Sequence, residues 1–186
     1  MRTVLTGGRV RLRPWASGEE LYNFSRRHNI QPNEYLGPTW YPLETERRLI
    51  AENGMVNSHG LSAFAIELKD TCQLVGFEAV TFRDPLCLDA EVGTFILEPY
   101  RRQGLGIESK QLMLRHIFEN YALERVGAWT LATHTKARRG LERCGFTLKG
   151  RLRQAYYSRG RYTDRVYYVI WRQDWEKLAQ RNEARN

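Results

Sequence analysis

The 186-residue sequence predicts a single α/β domain, with a mixed central sheet and flanking helices. Three observations lead to this fold class. Segments of alternating apolar and polar residues recur along the chain, as in strands with one buried face. A strand–loop–helix–strand unit near residues 90–133 predicts a right-handed parallel crossover, and tight turns join the outer strands as antiparallel hairpins. Apolar residues make up 42% of the chain, enough for a buried core.

Alternation and capping signals predict the N-terminal elements. Residues 9–13 alternate basic and apolar side chains, which indicates a strand whose arginines lie in solvent. Ser17 and Glu20 have the spacing of a capping box, which opens a helix through about residue 28. A proline-rich, aromatic segment over 30–42 is expected to be an ordered loop, and a second helix follows it over about 43–57.

Turn residues separate the remaining elements. The pattern predicts a hairpin of strands over 64–68 and 74–82, a strand over 90–97, a helix over 104–121, a strand over 125–133 and a short helix to 143. Gly145 stands at the left-handed position that ends this short helix. Two strands near 146–157 and 163–172 and a helix from residue 174 complete the prediction.

The composition narrows the class of protein. A net charge of +8 suits a nucleic-acid binder or a protein that binds a polyanionic cofactor. Because the basic residues look dispersed and no aromatic-rich nucleic-acid motif is present, nucleic acid is not expected as a partner. Three cysteines and four scattered histidines, without metal-ligand spacing, predict a cytoplasmic protein with no structural metal. No apolar run suits a membrane span or a signal peptide, so a soluble, unexported protein is expected.

A loop with two glycines lies between the predicted strand 90–97 and the helix 104–121; it reads Arg101-Arg102-Gln103-Gly104-Leu105-Gly106. The glycines allow positive φ and close backbone approach, so successive N–H groups can converge on one anion. The helix N-terminus adds unpaired N–H groups and the positive end of its dipole, which suits a pyrophosphate. The alternative is a connection that binds nothing. A Rossmann fingerprint would need a third glycine, and a Walker loop would need G-K-[ST].

At this loop the chain resembles the GNAT superfamily of N-acetyltransferases, whose cofactor loop reads [QR]-x-x-G-x-[GA]. The matching positions are Arg101, Gly104 and Gly106. Three further stretches are similar to the RimJ/RimL-like branch of that superfamily: EVGTFILEP at 91–99, LERCGFTLKGRLR at 141–153 and GRYTD at 160–164.

The resemblance covers roughly residues 9–175 and implies a GNAT fold. The whole chain, 1–186, would be one N-acetyltransferase domain, with 176–186 as a terminal helix end or tail. The sheet would have about seven strands and would be splayed open in the middle.

The resemblance also implies acetyl-CoA as the acyl donor, no metal, and direct transfer to an amine without a covalent enzyme intermediate. The pantetheine arm would enter the opening between the strand that ends near Leu97 and the strand that begins near Arg125, and would pair with strand backbone. By its charge alone, Lys110 could also add to the pyrophosphate site. The residues expected to bind the cofactor are Phe95, Ile96, Leu97, Arg101, Arg102, Gln103, Gly104, Leu105, Gly106 and His134.

An amine attacks a thioester only when it is neutral. At pH 7 roughly one α-amino group in seven is neutral, but only about one lysine amine in 2,500, so a lysine or aliphatic amine depends more on a base. The candidate base is Glu91, which would work directly or through water and would also contact the acceptor. The alternative is a strand glutamate that only orders local backbone. Glu78 and Glu67, on neighbouring strands, are weaker candidates.

The leaving thiolate needs a proton. Many GNAT members supply it from a tyrosine, and members of this branch often carry N-x-x-S after the second strand of the splay. The aligned positions here are His134 and Ala137, and Ala137 has no proton to donate. His134 is therefore a candidate acid and a candidate partner of the pantetheine arm, or else a polar residue at a helix entry. Tyr157, and beside it Tyr156, are the alternative donors.

The acceptor is expected between the 30–42 loop and the hairpin around Gly160. Tyr35, Trp40 and Tyr41 could form its aromatic wall, or could pack against the base of their own loop. The hairpin arginines favour an acidic acceptor or are simply a solvated face.

The acceptor class stays open between a small-molecule amine, a protein N-terminal α-amine and a lysine. The alternative function is a non-catalytic CoA-binding or RNA-associated module. It is suggested by Ala137, which cannot donate a proton to the thiolate. A homodimer through exposed strand edges is a further open alternative.

Overall fold

The computed structural model describes residues 4–28, 61–82, 89–158 and 160–183. Its strands are β1 (Leu5–Thr6), β2 (Val10–Pro14), β3 (Leu61–Leu68), β4 (Leu74–Phe82), β5 (Ala90–Ile96), β6 (Arg125–Leu131), β7 (Thr147–Ser158) and β8 (Arg161–Trp171). Its helices are α1 (Gly18–Arg27), α2 (Leu105–Asn120), α3 (Thr135–Arg143) and α4 (Arg172–Glu183), with a 3-10 turn at Glu98–Tyr100. The predicted 30–42 loop and 43–57 helix lie outside the described residues.

All eight described strands form one mixed sheet in the order β1-β2-β3-β4-β5-β6-β8-β7. The α/β class and the mixed sheet are confirmed. The sheet has one strand more than expected because β1 is only two residues long and becomes a strand through its pairing with β2. The last helix begins at Arg172 rather than at residue 174, directly after β8.

The parallel junction between β5 and β6 sets the position of the site. Only two residue pairs join these strands, Ala90 with Val126 and Glu91 with Gly127. Beyond Glu91 the strands separate, whereas β5 stays paired with β4 as far as Ile96. The predicted splay is therefore confirmed, and it opens toward the C-terminal ends of β5 and β6.

The main core lies between the sheet and α2. Met113, Leu114 and Ile117 of α2 are almost fully buried against apolar residues from every strand between β2 and β6 and from β8. A smaller cluster packs α1 on the sheet through Phe24, Phe77 and Leu97. Glu78 accepts a hydrogen bond from α2, and its neighbour Phe77 packs against α1. Because adjacent residues of a strand point to opposite faces of the sheet, the two helices lie on opposite faces.

The capping prediction for α1 is confirmed. The Ser17 hydroxyl accepts a hydrogen bond from the Glu20 N–H at 3.1 Å, which satisfies one of the unpaired donors of the first turn. The Glu20 carboxylate accepts from the Ala16 N–H at 2.7 Å and from the Arg13 guanidinium at 2.7 Å. The cap therefore also ties α1 to β2.

The prediction that the arginines of β2 lie in solvent is wrong. Arg11 and Arg13 both donate to the buried carboxylate of Glu67 on β3, Arg13 from Nε at 2.7 Å. Burial raises the pKa of Glu67, but the hydrogen bonds and charges of Arg13 and Arg11 outweigh it and lower the pKa below its ordinary value. Glu67 is thus part of an ion-pair network on the other side of β4 from the splay, which argues against a role as the base.

No helix in the described part of the chain is long and apolar enough to cross a membrane.

Candidate active site

The loop between β5 and α2 has the predicted positive φ at one of its two glycines, Gly104, whereas Gly106 lies within the helix. Arg102 and Gly104 both have positive φ, 64° and 81°, and Gly104 is the N-cap of α2. Left-handed residues alternating with ordinary ones turn successive N–H groups inward, which is the geometry of an anion-binding nest. A nonglycine residue at position 104 would carry backbone strain.

The N–H groups at the start of α2 face this nest. Within the described residues, the N–H groups of 103 to 106 donate no hydrogen bond, and the first capping bonds are those from Ile107 and Glu108 to the Gly104 carbonyl, both 3.1 Å. A Cβ at Gly106 would lie 3.3 Å from Ile96 and 3.6 Å from Thr94, so this glycine lets α2 begin directly against β5. The helix start therefore presents four donors at the mouth of the splay.

Arg101 lines one side of the loop. Its Nε donates to the Ile96 carbonyl at 2.8 Å, and its guanidinium lies 5.9 Å from the centre of the Phe95 ring. Arg102 is exposed at the turn. The predicted cofactor residues 95–97 and 101–106 are thus brought together, and the arrangement suits an anionic ligand.

The prediction that Lys110 adds charge to the loop is wrong. The residue is 6% exposed, and its ammonium donates to Glu78 Oε1 at 2.9 Å. The Ser109 hydroxyl donates to Glu78 Oε2 at 2.9 Å. Glu78 is fully buried beneath α2. The pair ties the helix to β4, so Lys110 is not available to a ligand and Glu78 is not placed to act as a base.

Arg9 is a site residue that the sequence analysis missed. Its Nη1 donates to the Gln103 carbonyl at 2.7 Å and its Nε pairs with Glu108 at 3.1 Å. Burial raises the pKa of Glu108, but the N–H groups of Arg9 and Val10 and the Arg9 guanidinium together lower it below its ordinary value. No local pattern could reveal a contact between residues 94 positions apart.

Thr94 supplies a second signal that was missed. Its hydroxyl is buried and has no hydrogen-bond partner among the described residues. It lies on β5 beside Gly106, on the wall of the splay. Since buried hydroxyls are nearly always paired, this one has room for a polar partner that the described residues do not supply.

Glu91 lies where the two strands part, and a hydrogen bond from β6 orients it. The indole Nε1–H of Trp129 donates to Glu91 Oε1 at 2.6 Å. Glu91 pairs with Gly127 of β6 in the sheet. Trp129 lies two residues further along β6, where the strands have parted, and its side chain extends back toward Glu91. The half-buried carboxylate is therefore fixed across the splay, on the same side of the sheet as Gly93 and Phe95.

Trp129 is itself positioned by β8. The Tyr167 ring lies 4.5 Å from it and the Arg165 guanidinium 4.9 Å, each measured to the Trp129 ring centre. A Cβ at Gly127 would lie 2.3 Å from the Tyr167 hydroxyl, so only glycine leaves room for this tyrosine. Gly127, Trp129, Arg165 and Tyr167 thus form a second layer around Glu91, and the sequence analysis did not identify it as such.

His134 lies at the open end of the splay. It is the N-cap of α3, half-buried, with Nδ1 3.4 Å from the Thr130 hydroxyl. Gly127 and Leu131 are separated by roughly 13 Å of strand, so the structure does not bring His134 and Glu91 into contact. Ala137 follows in the first turn of α3 and is half-buried.

Tyr157 stands apart from both. It pairs with Tyr162 on the β7–β8 hairpin, beyond Arg165, where the pairing of β6 with β8 ends. Its side chain is 58% exposed. Tyr156 is half-buried beside it. The predicted acceptor wall of Tyr35, Trp40 and Tyr41 lies outside the described residues.

Comparison with known proteins relates this geometry to a family. The sequence model of the acetyltransferase (GNAT) domain matches residues 9–147. The chain is 28% identical over 103 residues to YdaF of Bacillus subtilis, which is provisionally named a ribosomal N-acetyltransferase. The aligned residues make up 55% of this chain and 56% of that protein. It is 25% identical over 126 residues to the ribosomal-protein-serine acetyltransferase of Escherichia coli. This alignment covers 68% of this chain and 70% of that one. The first of these alignments thus spans little more than half of its relative.

Solved structures share the fold. RimL, a ribosomal L7/L12 alpha-N-protein acetyltransferase in complex with coenzyme A, superposes with a TM-score of 0.75 and 18% identity over 91% of this chain and 98% of that one. An acetyl transferase from Salmonella typhimurium that modifies the N-terminal serine of L7/L12 gives the same TM-score and identity over 91% and 99%. At this identity the likeness shows the fold alone. Because the domain model spans well over half of the chain, the protein belongs to the GNAT acetyltransferase family.

Proposed function

We propose that this protein is an acetyl-CoA-dependent N-acetyltransferase that moves an acetyl group directly to a primary amine. The observation that carries the proposal is the row of N–H groups at residues 103–106, which donate no hydrogen bond within the described chain and lie at the start of α2 beside β5. A pyrophosphate is the ligand that such a helix start binds best. A thioester bound there supplies the activated acyl group.

Several residues would hold the donor. The N–H groups of Gln103 to Gly106 would bind the pyrophosphate, and Arg101 and Arg102 would add charge. The β5 backbone over 95–97 runs along the opening, on the side that β6 leaves unpaired. The Thr94 hydroxyl, buried and unpartnered among the described residues, fits an amide of the pantetheine arm.

Glu91 would take a proton from the attacking amine, directly or through water. The hydrogen bond from Trp129 fixes one carboxylate oxygen, so the direction of the carboxylate is set before the amine arrives. A base in this position matters most for a lysine or aliphatic amine, which is almost entirely protonated at pH 7.

His134 is the better placed of the two candidate acids. It lies at the open end of the splay, half-buried and within reach of Thr130, whereas Tyr157 is exposed on the distal hairpin. We therefore assign proton return to the thiolate to His134, and we keep Tyr157 as the alternative. Ala137 leaves no hydroxyl at the position where branch members often have serine.

The acceptor is a protein N-terminal α-amine or a small amine. The names of two relatives, a ribosomal-protein-serine acetyltransferase and an alpha-N-protein acetyltransferase, support the first class. An α-amine also needs the least help from a base. The free thiols of Cys72 and Cys144 suit a reducing compartment, so we place the protein in the cytoplasm. Pairing of two copies through strand edges stays a prediction.

Binding of the donor is tested first, by thermal unfolding with acetyl-CoA, CoA and ATP. Saturation at about a hundred times Kd should stabilise the fold by about 2.7 kcal/mol. Gly104→Val should abolish the shift with acetyl-CoA and CoA. Gly160→Val is the matched control, because Gly160 also has positive φ, 76°, but lies on the hairpin away from the loop. Equal shifts in both variants would overturn the loop assignment.

Turnover is tested on a panel of amines with Glu91→Gln. The amide oxygen of glutamine can still accept the hydrogen bond from Trp129, so the variant removes the proton acceptor but keeps this hydrogen bond. We expect a loss of 10²- to 10⁴-fold in kcat with acetyl-CoA binding intact. Binding of acetyl-CoA by the wild type without turnover of any peptide or small amine would instead favour the non-catalytic CoA-binding module.

A further inference from the structure

The positive charge of the chain is concentrated in one segment. Residues 133–165 contain ten of the 29 lysines and arginines but only two of the 21 aspartates and glutamates, Glu142 and Asp164. The other 153 residues carry nineteen of each, so this segment accounts for the whole net charge of +8. The view that the basic residues are dispersed, on which the expectation of no nucleic-acid partner was based, is therefore wrong.

The segment folds into α3 and the β7–β8 hairpin, and we call the exposed parts of these two elements the basic hairpin surface. Its described exposed cations are Lys136, Arg139 and Arg143 on α3, Lys149, Arg151 and Arg153 on β7, and Arg161 on β8. The three on α3 follow a helical spacing of three and four, so they share one stripe. Tyr168 joins the elements, since its hydroxyl donates to Glu142 on α3 at 3.0 Å and its backbone pairs with Leu148 on β7.

Most of these cations form no ion pair within the part of the chain that the structure describes. Lys136, Arg139, Arg143, Lys149 and Arg161 form no ion pair with any carboxylate of the described residues. The two acidic side chains of the segment already accept internal hydrogen bonds: Glu142 from Tyr168, and Asp164 from Arg151 and the Gln154 N–H. Elsewhere several cations are neutralised, as Arg9 is by Glu108 and Lys110 by Glu78.

Two exposed aromatic rings lie within this surface. Tyr157 and Tyr162 are 58% and 65% exposed, and their ring centres are 4.9 Å apart across the hairpin. Large aromatic faces in water, flanked by arginines on both strands, are the stacking platforms that bind unpaired bases.

We propose that the basic hairpin surface binds single-stranded RNA. The unpaired cations would contact phosphates, and the tyrosine pair would stack on bases without strong sequence preference. An acidic polypeptide would satisfy the charges as well, and the exposed Leu148 and Leu152 would suit it. The tyrosine pair, set among cations of which eight of ten are arginine, favours the nucleic acid. This inference does not depend on the acetyltransferase activity.

The affinity should depend steeply on salt. If the five unpaired cations each neutralise one phosphate of a single strand, the slope of log K against log salt is about −3.5. Affinity then falls about 100-fold between 50 and 200 mM salt. Each phosphate contact is worth about fivefold at 100 mM salt on the same relation.

The test uses the full chain with a fluorescein-labelled single-stranded RNA of twelve nucleotides of mixed sequence, in anisotropy titrations. Arg139→Gln/Arg143→Gln and Lys149→Gln/Arg161→Gln should each weaken binding about 25-fold at 100 mM salt and reduce the slope by about 1.4. The matched control is Arg115→Gln/Arg181→Gln, which removes the same charge from exposed sites outside the surface and should change affinity less than fivefold. Unchanged melting temperatures would show that the variants are folded.

Stacking is tested with Tyr162→Ala and Tyr162→Phe. The alanine variant should lose at least fivefold in RNA affinity, and the phenylalanine variant, which keeps the ring, should bind like the wild type. Poly-L-glutamate of matched charge is the competing probe. Equal binding of poly-L-glutamate, weakened by the same charge variants, would overturn the proposal in favour of an acidic polypeptide. Absence of RNA binding at 50 mM salt, or equal loss in the control pair, would overturn it outright.

Discussion

The substitution Lys110→Met isolates the buried ion pair beneath the cofactor loop. Methionine keeps most of the length and volume of the lysine stem but removes the ammonium, whose Nζ lies 2.9 Å from Glu78 Oε1. Glu78 is fully buried, and the only donor then left to it among the described residues is the Ser109 hydroxyl, at 2.9 Å. The variant therefore contains a buried carboxylate without a counter-charge.

Breaking a buried pair from one side costs about 3–5 kcal/mol. For a chain of this size each kcal/mol corresponds to roughly 2–4 °C, so the melting temperature should fall by about 6–20 °C. The double variant Glu78→Leu/Lys110→Met removes both charges and should recover most of the loss.

Urea unfolding of the wild type, Glu78→Leu, Lys110→Met and the double variant completes a double-mutant cycle. Each single variant should be less stable than the wild type, and the double variant should recover most of the loss. The effects of the two substitutions should therefore be strongly non-additive. If Lys110→Met cost less than about 1 kcal/mol, or if the double variant were as unstable as the single, the assignment of the pair as a buried charge-compensated lock between α2 and β4 would be refuted.

Three more predictions follow from individual contacts. Gly127→Ala should lower the free energy of unfolding in urea by about 1–3 kcal/mol and reduce turnover, because its Cβ would lie 2.3 Å from the Tyr167 hydroxyl. Gly140→Ala is the control, because a Cβ there meets nothing within 4 Å in the described chain, and it should be neutral or stabilising. Glu67→Gln should destabilise the protein at pH 7, and the difference from the wild type should narrow as the pH falls below about 4.5. The lowered pKa of Glu67 means that its contribution to stability is present above about pH 4.5 and is lost as the pH falls through its folded-state pKa. A difference in urea titrations that is as large at low pH as at pH 7 would contradict this. Burial raises the pKa of Cys144 to about 11, so iodoacetamide at pH 8 should alkylate exposed Cys72 and spare Cys144 in mass spectra; rapid labelling of Cys144 in the folded protein would contradict its burial.

Features governed by neighbours in sequence were predictable. Ser17 caps α1 as its spacing with Glu20 predicts, and Gly145 has the left-handed φ, 91°, expected after a short helix. Strand alternation located β4 to its end residues, Leu74 and Phe82. Each of these rests on interactions within a few residues, where steric limits and hydrogen-bond periodicity leave few choices.

Interactions between distant elements were not predictable. Arg11 and Arg13 alternate with apolar residues as solvent-facing side chains do, yet both lie against Glu67 because β3 pairs beside β2. Lys110 was expected to add charge near the loop, but it lies on a turn of α2 that faces the sheet. The sequence carries the residues of these pairs without any mark of the pairing.

The candidate site divides along the same line. The cofactor loop could be recognised from the sequence because its chemistry belongs to the backbone, and two glycines at a helix start are enough to predict turned-in N–H groups. The orientation of Glu91 depends on Trp129, and Trp129 on Tyr167, which fits only over Gly127. These residues lie on three strands that are neighbours in the sheet but distant in sequence. Their meeting is decided by sheet order and register, which arise only when the tertiary structure forms.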